Sequence, residues 1–168
     1  MEPQSVLYID PLLKKYADLI KLNCKAVKTV YYGDPVRVPS SNLPALVVAK
    51  LDTKVGKLTS AEDEHAIHIS FTLITDIRDT ISDEKTLAPG TNSLYNMMEG
   101  RNDNYTLKSD SILNILRHNI DVDPQVNLRT DLESVTSVDY GITVGKRGAE
   151  SFATEAVVSI IANFNQVR

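Results

Sequence analysis

Alternation of apolar and polar side chains over residues 67–73 constrains this chain more than any other feature. Successive side chains of a β-strand point to opposite faces of its sheet, so this pattern predicts a strand with one buried face and one open face. The residues between the apolar members are polar, and the apolar members are Ile67, Ile69, Phe71 and Leu73.

A second alternating run predicts a long strand near the end of the sequence. Its apolar residues of one parity are Phe152, Ala156, Val158, Ile160, Ala162 and Phe164. The opposite parity is mostly polar, but it also carries Val157 and Ile161. Apolar residues on the open face of a strand predict that a neighbour covers part of that face.

Two amphipathic helices are predicted to cover the buried side of this sheet. Asp10 followed by Pro11 is typical of a helix N-terminus, and apolar residues recur at helical spacing through residue 27. Cys24 lies on that apolar stripe, which favours a packed thiol over a reactive one. A second helix is predicted to begin at Ser109 or Asp110; its inward residues are Ile112, Leu113, Ile115 and Leu116.

The remaining segments predict short strands and turns. The residues between 52 and 63 are polar and contain Gly56, so we expect a hairpin-like connection there. Strands are predicted elsewhere at residues 29–32, 45–51, 125–130 and 134–144, with a glycine-rich turn at 145–148.

Residues 77–108 differ from the rest of the chain because turn-forming residues crowd them. A short helix is predicted over residues 92–99, ending at Gly100. We therefore predict one α+β domain over residues 1–168. It has a mostly antiparallel sheet, two helices packed on one face and an irregular inserted arm at 77–108.

Composition excludes several classes of protein. The 168 residues include 18 basic and 22 acidic residues, a net charge of −4, and 6% of them are aromatic, which argues against a nucleic-acid groove. A single cysteine excludes an internal disulfide and any multi-cysteine metal site. The longest apolar runs are too short to span a bilayer, and residues 1–10 lack a signal-peptide pattern, so we expect folding in a cytoplasm.

Candidate chemical sites all have simpler interpretations. His65 and His68 stand in an acidic run, but on a strand they project to opposite faces and cannot share a metal ion. Residues 141–148 lack the spacing of a phosphate loop, and residues 121–123 lack the glycine and glutamate of a calcium loop. We expect no catalytic residue, no cofactor and no metal ion.

The order of elements resembles the tail-terminator family of long-tailed bacteriophages, also described as minor tail protein U or tail completion proteins. The resemblance covers most of the chain and concerns the pattern and order of its predicted helices and strands. It rests on the opening helix at 10–27, the Leu-Pro-Ala-Leu-Val-Val sequence at 43–48, the strand at 67–73 and the terminal hairpin at 138–164.

The resemblance implies a homo-oligomeric ring, usually a hexamer, that ends the tail tube at the junction of tail and neck. The implied partners are further copies of the chain, the tail tube protein and a neck or head-completion protein. Genomic DNA would pass through the hole without sequence recognition, and no membrane is involved. The protein would be assembled in the host cytoplasm and reside in the virion. We expect contacts to other subunits or to the tube from Lys54, Lys57, Arg78, Arg101, Lys146, Arg147, Val157 and Ile161.

Two alternatives remain open at the level of sequence. A head-tail connector or stopper protein of the neck uses similar small α+β domains. A small ligand-binding or enzymatic α+β domain would instead hold a pocket with convergent polar groups.

Overall fold

The computed structural model describes residues 7–82, 85, 87–144 and 152–167 of the chain. In chain order, its helices and strands are α1 (Pro11–Asn23), β1 (Thr29–Tyr32), β2 (Ala45–Lys57), β3 (Glu62–Asp76), α2 (Ile77–Thr80), α3 (Leu94–Glu99), α4 (Ile112–His118), β4 (Asp121–Asp123), β5 (Leu128–Thr130), β6 (Val138–Val144) and β7 (Phe152–Val167).

The strands form one sheet in the described residues, in the order β1-β2-β3-β7-β5-β4, with β6 also paired to β7. β1 runs parallel to β2, and every other pairing is antiparallel. β3 and β7 pair along the whole of β3, from Glu62 opposite Val167 to Asp76 opposite Ala153. These two strands are the central pair, and they are the two that alternation predicted.

The main core lies between one face of this sheet and helices α1, α3 and α4. Each helix contributes side chains that are almost completely buried; they include Tyr16, Ile20, Met98, Ile115 and Leu116. The sheet contributes Leu46, Ile69, Phe71, Leu73 and Ile160. The predicted α+β class, with a mostly antiparallel sheet and helices packed on one face, is confirmed.

Helix α1 begins as predicted, because the Asp10 carboxylate accepts a hydrogen bond from the Leu12 N–H at 2.9 Å. It ends at Asn23, earlier than the predicted residue 27, yet Cys24 and Val27 remain in the core. Burial raises the pKa of the Cys24 thiol, in keeping with a packed side chain. Ser111 occupies the N-cap position of helix α4, although its side chain makes no capping hydrogen bond, so the prediction of Ser109 or Asp110 was wrong by one or two residues.

The predicted polar connection at residues 52–63 was too long. β2 continues to Lys57 and β3 begins at Glu62, which leaves a short turn between two long strands. Two other strands are shorter than predicted. β5 begins at Leu128 because a 3-10 turn occupies Pro124–Val126, and β6 begins at Val138, after a 3-10 turn at Leu132–Ser134.

The described residues between 77 and 108 form turns and two short helices, and part of this segment is anchored in the core. α3 ends at Gly100 as predicted. Its residues Leu94, Met97 and Met98 are buried beneath the sheet. Three threonine hydroxyls fix the start of the segment: Thr154 lies 2.9 Å from Thr75 and 3.2 Å from Thr80. The Thr80 hydroxyl also accepts a hydrogen bond from the Leu94 N–H at 3.2 Å.

Replacement of Phe71 by alanine should destabilise the fold by about 3–5 kcal/mol, because its ring is fully buried against Tyr16 at a centroid distance of 5.8 Å. Urea denaturation followed by circular dichroism measures this loss. Val36, which is 93% exposed, is the control; Val36→Ala should change the free energy of unfolding by less than about 0.5 kcal/mol. Equal effects of the two substitutions would contradict the assigned core.

Candidate assembly surfaces

The hairpin of β2 and β3 extends beyond the helices, and the distal part of β2, residues 51–57, is exposed on both faces. Every residue from 51 to 61 is exposed. Three of them are large and apolar: Leu51, Val55 and Leu58 are 55%, 59% and 47% exposed. A ladder to β3 holds the strand in place, with Val55 opposite His65. The hairpin therefore offers an ordered, partly apolar surface to a partner.

Lys54 and Lys57, two of the predicted contact residues, both lie on this hairpin. Lys54 is opposite Ala66 and Lys57 is opposite Asp63. The two lysines are three positions apart on one strand, so their side chains leave the sheet from opposite faces. Lys54 projects from the face away from the helices, and Lys57 projects from the helix-covered side.

The second face of the sheet is partly covered by the chain itself. The loop between β1 and β2 places Val38 and Leu43 against Ala45, Val47 and Ile74. This small second cluster was not predicted. The signal that could have revealed it is the apolar run at 45–48, which alternates too little for a strand with one open face.

Val157 and Ile161 lie on this second face, beyond the part that the loop covers. Val157 is opposite Thr72 on β3 and Asp139 on β6, and Ile161 is opposite His68. Both are half-buried, and neither belongs to either apolar cluster. The structure thus brings the two predicted apolar contact residues together on one surface, four positions apart on β7.

Arg78 is exposed, but its guanidinium is held by a neighbouring carboxylate. The Arg78 Nη2 donates to Asp76 Oδ2 at 2.6 Å, and its Nε donates to Asp76 Oδ1 at 3.0 Å. The same carboxylate caps α2 by accepting from the Arg78 N–H at 2.9 Å. These hydrogen bonds lower the pKa of Asp76 below its ordinary value.

Arg101 is likewise engaged within its own segment. Its guanidinium donates to the Tyr105 carbonyl at 3.0 Å and lies 3.4 Å from the Glu99 carboxylate. Lys146 and Arg147, with the glycine-rich turn around them, lie outside the described residues. Of the predicted basic contact residues that the structure describes, Lys54 and Lys57 share the β2–β3 hairpin, whereas Arg78 and Arg101 are each engaged by groups of their own segment.

A contact that the sequence did not reveal joins residues 77–108 to the terminal strand pair. The Tyr140 hydroxyl on β6 donates to Glu99 Oε1 at 2.7 Å, and the Tyr95 ring packs on Tyr140 at a centroid distance of 5.1 Å. Burial, the hydrogen bond to Glu99 and the charge of that carboxylate raise the pKa of Tyr140. No sequence pattern links residues this far apart.

The histidines occupy the faces that alternation predicts. His65 stacks on Phe164 on the helix side of the sheet, at a centroid distance of 4.7 Å. His68 lies on the other face, with its Nδ1 3.5 Å from the Asp52 carboxylate. Among the described residues, no three His, Cys, Asp or Glu side chains are grouped so that they could hold a metal ion.

Two open cavities lie on the surface of the described residues. One, of about 560 Å³, lies beside α3 and is lined by Pro89, Ser93, Tyr95, Glu99 and Arg101. The other, of about 510 Å³, lies at the start of α1 and is mainly apolar, with Leu12, Leu128, Phe164 and Val167 in its wall. A salt bridge of 3.1 Å between Lys15 and Asp123 lies at this second cavity.

No helix in the described part of the chain is long and apolar enough to cross a membrane. Comparison with protein-family models finds no match, and no curated protein is similar to this chain in sequence.

The role of the Asp76 carboxylate can be separated into capping and charge. Asp76→Ala removes the cap of α2 and should cost about 1 kcal/mol at neutral pH, whereas Asp76→Asn keeps a capping oxygen and should cost less. Because the folded-state pKa is below the ordinary value, the charge stabilises the fold at neutral pH, and this contribution is lost as the pH falls through that lowered pKa.

The measurement is urea denaturation of the parent protein and Asp76→Asn at several pH values. The difference between their free energies of unfolding should shrink as the solution is acidified from neutral pH towards about pH 2. A difference that grows on acidification would show that the carboxylate is not stabilised by Arg78.

Proposed function

We propose that this protein is a structural component of a long-tailed phage particle, which assembles into a ring that ends the tail tube and joins the tail to the neck. The observation that carries the proposal is the position of Val157 and Ile161. They lie on a central strand, on the part of the second sheet face that neither the helices nor the β1–β2 loop covers. The particular assembly, a ring at the end of the tail tube, is inferred from the resemblance of the order of elements to that of tail terminators.

Burial of this surface against another subunit would remove apolar area from water at a gain of roughly 25 cal/mol per Å². A closed ring is built from heterologous contacts, in which one surface of each subunit meets a different surface of the next. The face around Val157 is suited to be one of them because β3 and β7, paired along the whole of β3, hold it rigid.

The β2–β3 hairpin is proposed to reach the tube or neck protein. It lies beyond the helices and carries exposed Leu51, Val55 and Leu58 among its lysines, so it has both apolar and charged groups for a partner. The net charge of −4 accords with a ring whose hole lets DNA pass, since dense positive charge would retain the phosphate backbone.

The ring is tested by size-exclusion chromatography with light scattering and by electron microscopy of the purified protein. The expected result is a concentration-dependent ring. Val157→Asp and Ile161→Asp should each weaken self-association by about tenfold or more, because an interface would bury an unpaired carboxylate. Val36→Asp, on the β1–β2 loop at a position that is 93% exposed, should have no effect. A parent protein that remains monomeric at high concentration and on tail tubes would overturn the ring.

The position of this protein in the virion is tested with phage particles that are assembled without it. Overlong tails are the result expected of a missing terminator. Tails of normal length that fail to join heads would overturn tail termination and assign the protein to the neck as a connector or stopper.

A further inference from the structure

Among the described residues, two long strand edges at opposite sides of the sheet are unpaired, one on β2 and one on β6; the short strands β1 and β4 stand at the ends of the strand order. β1 covers the outer edge of β2 only from Ala45 to Val48. Beyond the bulge at residues 50–52, no strand among the described residues pairs with that edge, and residues 51–57 remain open. An ordered edge of this kind is a template for a further strand.

The backbone groups that face outward on this edge follow from the hairpin geometry. The Leu58 N–H donates to the Glu62 carbonyl at 3.1 Å, so the groups of Leu58 point inward, toward β3. Alternate residues of an antiparallel strand turn their backbone groups to opposite edges. The N–H and C=O groups of Thr53, Val55 and Lys57 therefore turn outward.

β6 provides the second open edge. It pairs with β7 from Val138 to Val144, and in the described part of the chain its other edge meets no strand. No backbone hydrogen bond beyond the β7 ladder involves β6 among the described residues. β6 has 7 residues, the same length as the open segment 51–57 of β2.

We propose that the open edge of β2 at residues 51–57 pairs with β6 of a second copy of this chain, which continues the sheet from one subunit into the next. This inference rests on the proposed self-assembly and adds a second contact between copies, through the hairpin edge, to the one at the face around Val157. The tip of the hairpin at residues 58–61 remains exposed for the tube or neck protein. The two edges are different, so the contact is heterologous, and its repetition closes into a ring or runs on as a filament according to the rotation between copies.

Side chains on the two edges match when the sheet is continued. Lys54 lies on the face away from the helices, and Asp139, opposite Val157, lies on that same face. Val55 and Tyr140 both lie on the helix side. The β2–β3, β3–β7 and β7–β6 pairings are all antiparallel, so β6 of the next copy would run antiparallel to β2 when each face is kept on its own side. In the register that sets Lys54 opposite Asp139, Val55 lies opposite Val138 and has Tyr140 as its diagonal neighbour. Pairing of β2 with β2 of another copy would leave β6 open.

The backbone contact is tested at Val55. Val55→Pro removes an outward N–H while the inward ladder to β3 remains, because proline is tolerated on an edge strand when its missing N–H faced solvent. Val55→Thr is the matched control, since it alters the same side chain and keeps the N–H. Self-association should weaken by about tenfold or more in Val55→Pro and stay close to the parent value in Val55→Thr. Circular dichroism verifies that both variants fold.

The identity of the partner edge is tested by charge reversal. Lys54→Glu and Asp139→Lys should each weaken self-association, and the chain that carries both substitutions should recover it. An Asp139→Lys variant that associates as tightly as the parent protein would overturn pairing with β6.

The outcomes separate this inference from the proposed function. Rings that persist in Val55→Pro but are lost in Val157→Asp would overturn the edge contact and leave the ring protein in place. A defined oligomer that is lost in Val55→Pro, together with tails of normal length in particles that lack the protein, would support the edge contact and overturn tail termination.

Discussion

The antiparallel ladder between β3 and β7 is the constraint on which the rest of this structure depends. It joins residues far apart in sequence along the whole of β3. One side of the ladder supplies Ile69, Phe71 and Ile160 to the core beneath the helices. Because side chains alternate, the same ladder must present the intervening residues on the opposite face. The half-buried surface with Val157 and Ile161 is thus a direct consequence of the strand pair that organises the core.

The elements that sequence predicted well are those whose burial is one-sided. β3 and β7 show a period of two, and α1 shows helical spacing, because each has one side in the main core and an opposite side that is less buried. The distal half of β2 could not be predicted in this way. Both of its faces are exposed, so its side chains at residues 52–57 carry no period, and only its ladder to β3 makes it a strand. The polar composition of residues 52–57 was interpreted as that of a loop between strands, but these residues are part of β2.

The candidate surfaces were only partly predictable for a related reason. Val157 and Ile161 were identified because they are apolar residues among the otherwise polar side chains of one face of β7, and the structure places them together. The hydrogen bond between Tyr140 and Glu99 depends on tertiary packing, and no local pattern encodes it. The arginines were chosen by charge alone, a property that does not indicate whether a nearby carboxylate or carbonyl engages them. Arg78 and Arg101 both have such partners.

The buried hydroxyls of Thr75, Thr80 and Thr154 have a consequence for how this chain can vary. Together with the hydrogen bond from the Leu94 N–H, they fasten both ends of the stretch between α2 and α3 to the sheet. Closure of a loop between fixed ends becomes more costly only slowly as it lengthens, by about 0.6 kcal/mol for each doubling. We therefore expect this stretch to accept inserted residues with little loss of stability, which makes it the natural place to graft a tag or a new recognition sequence.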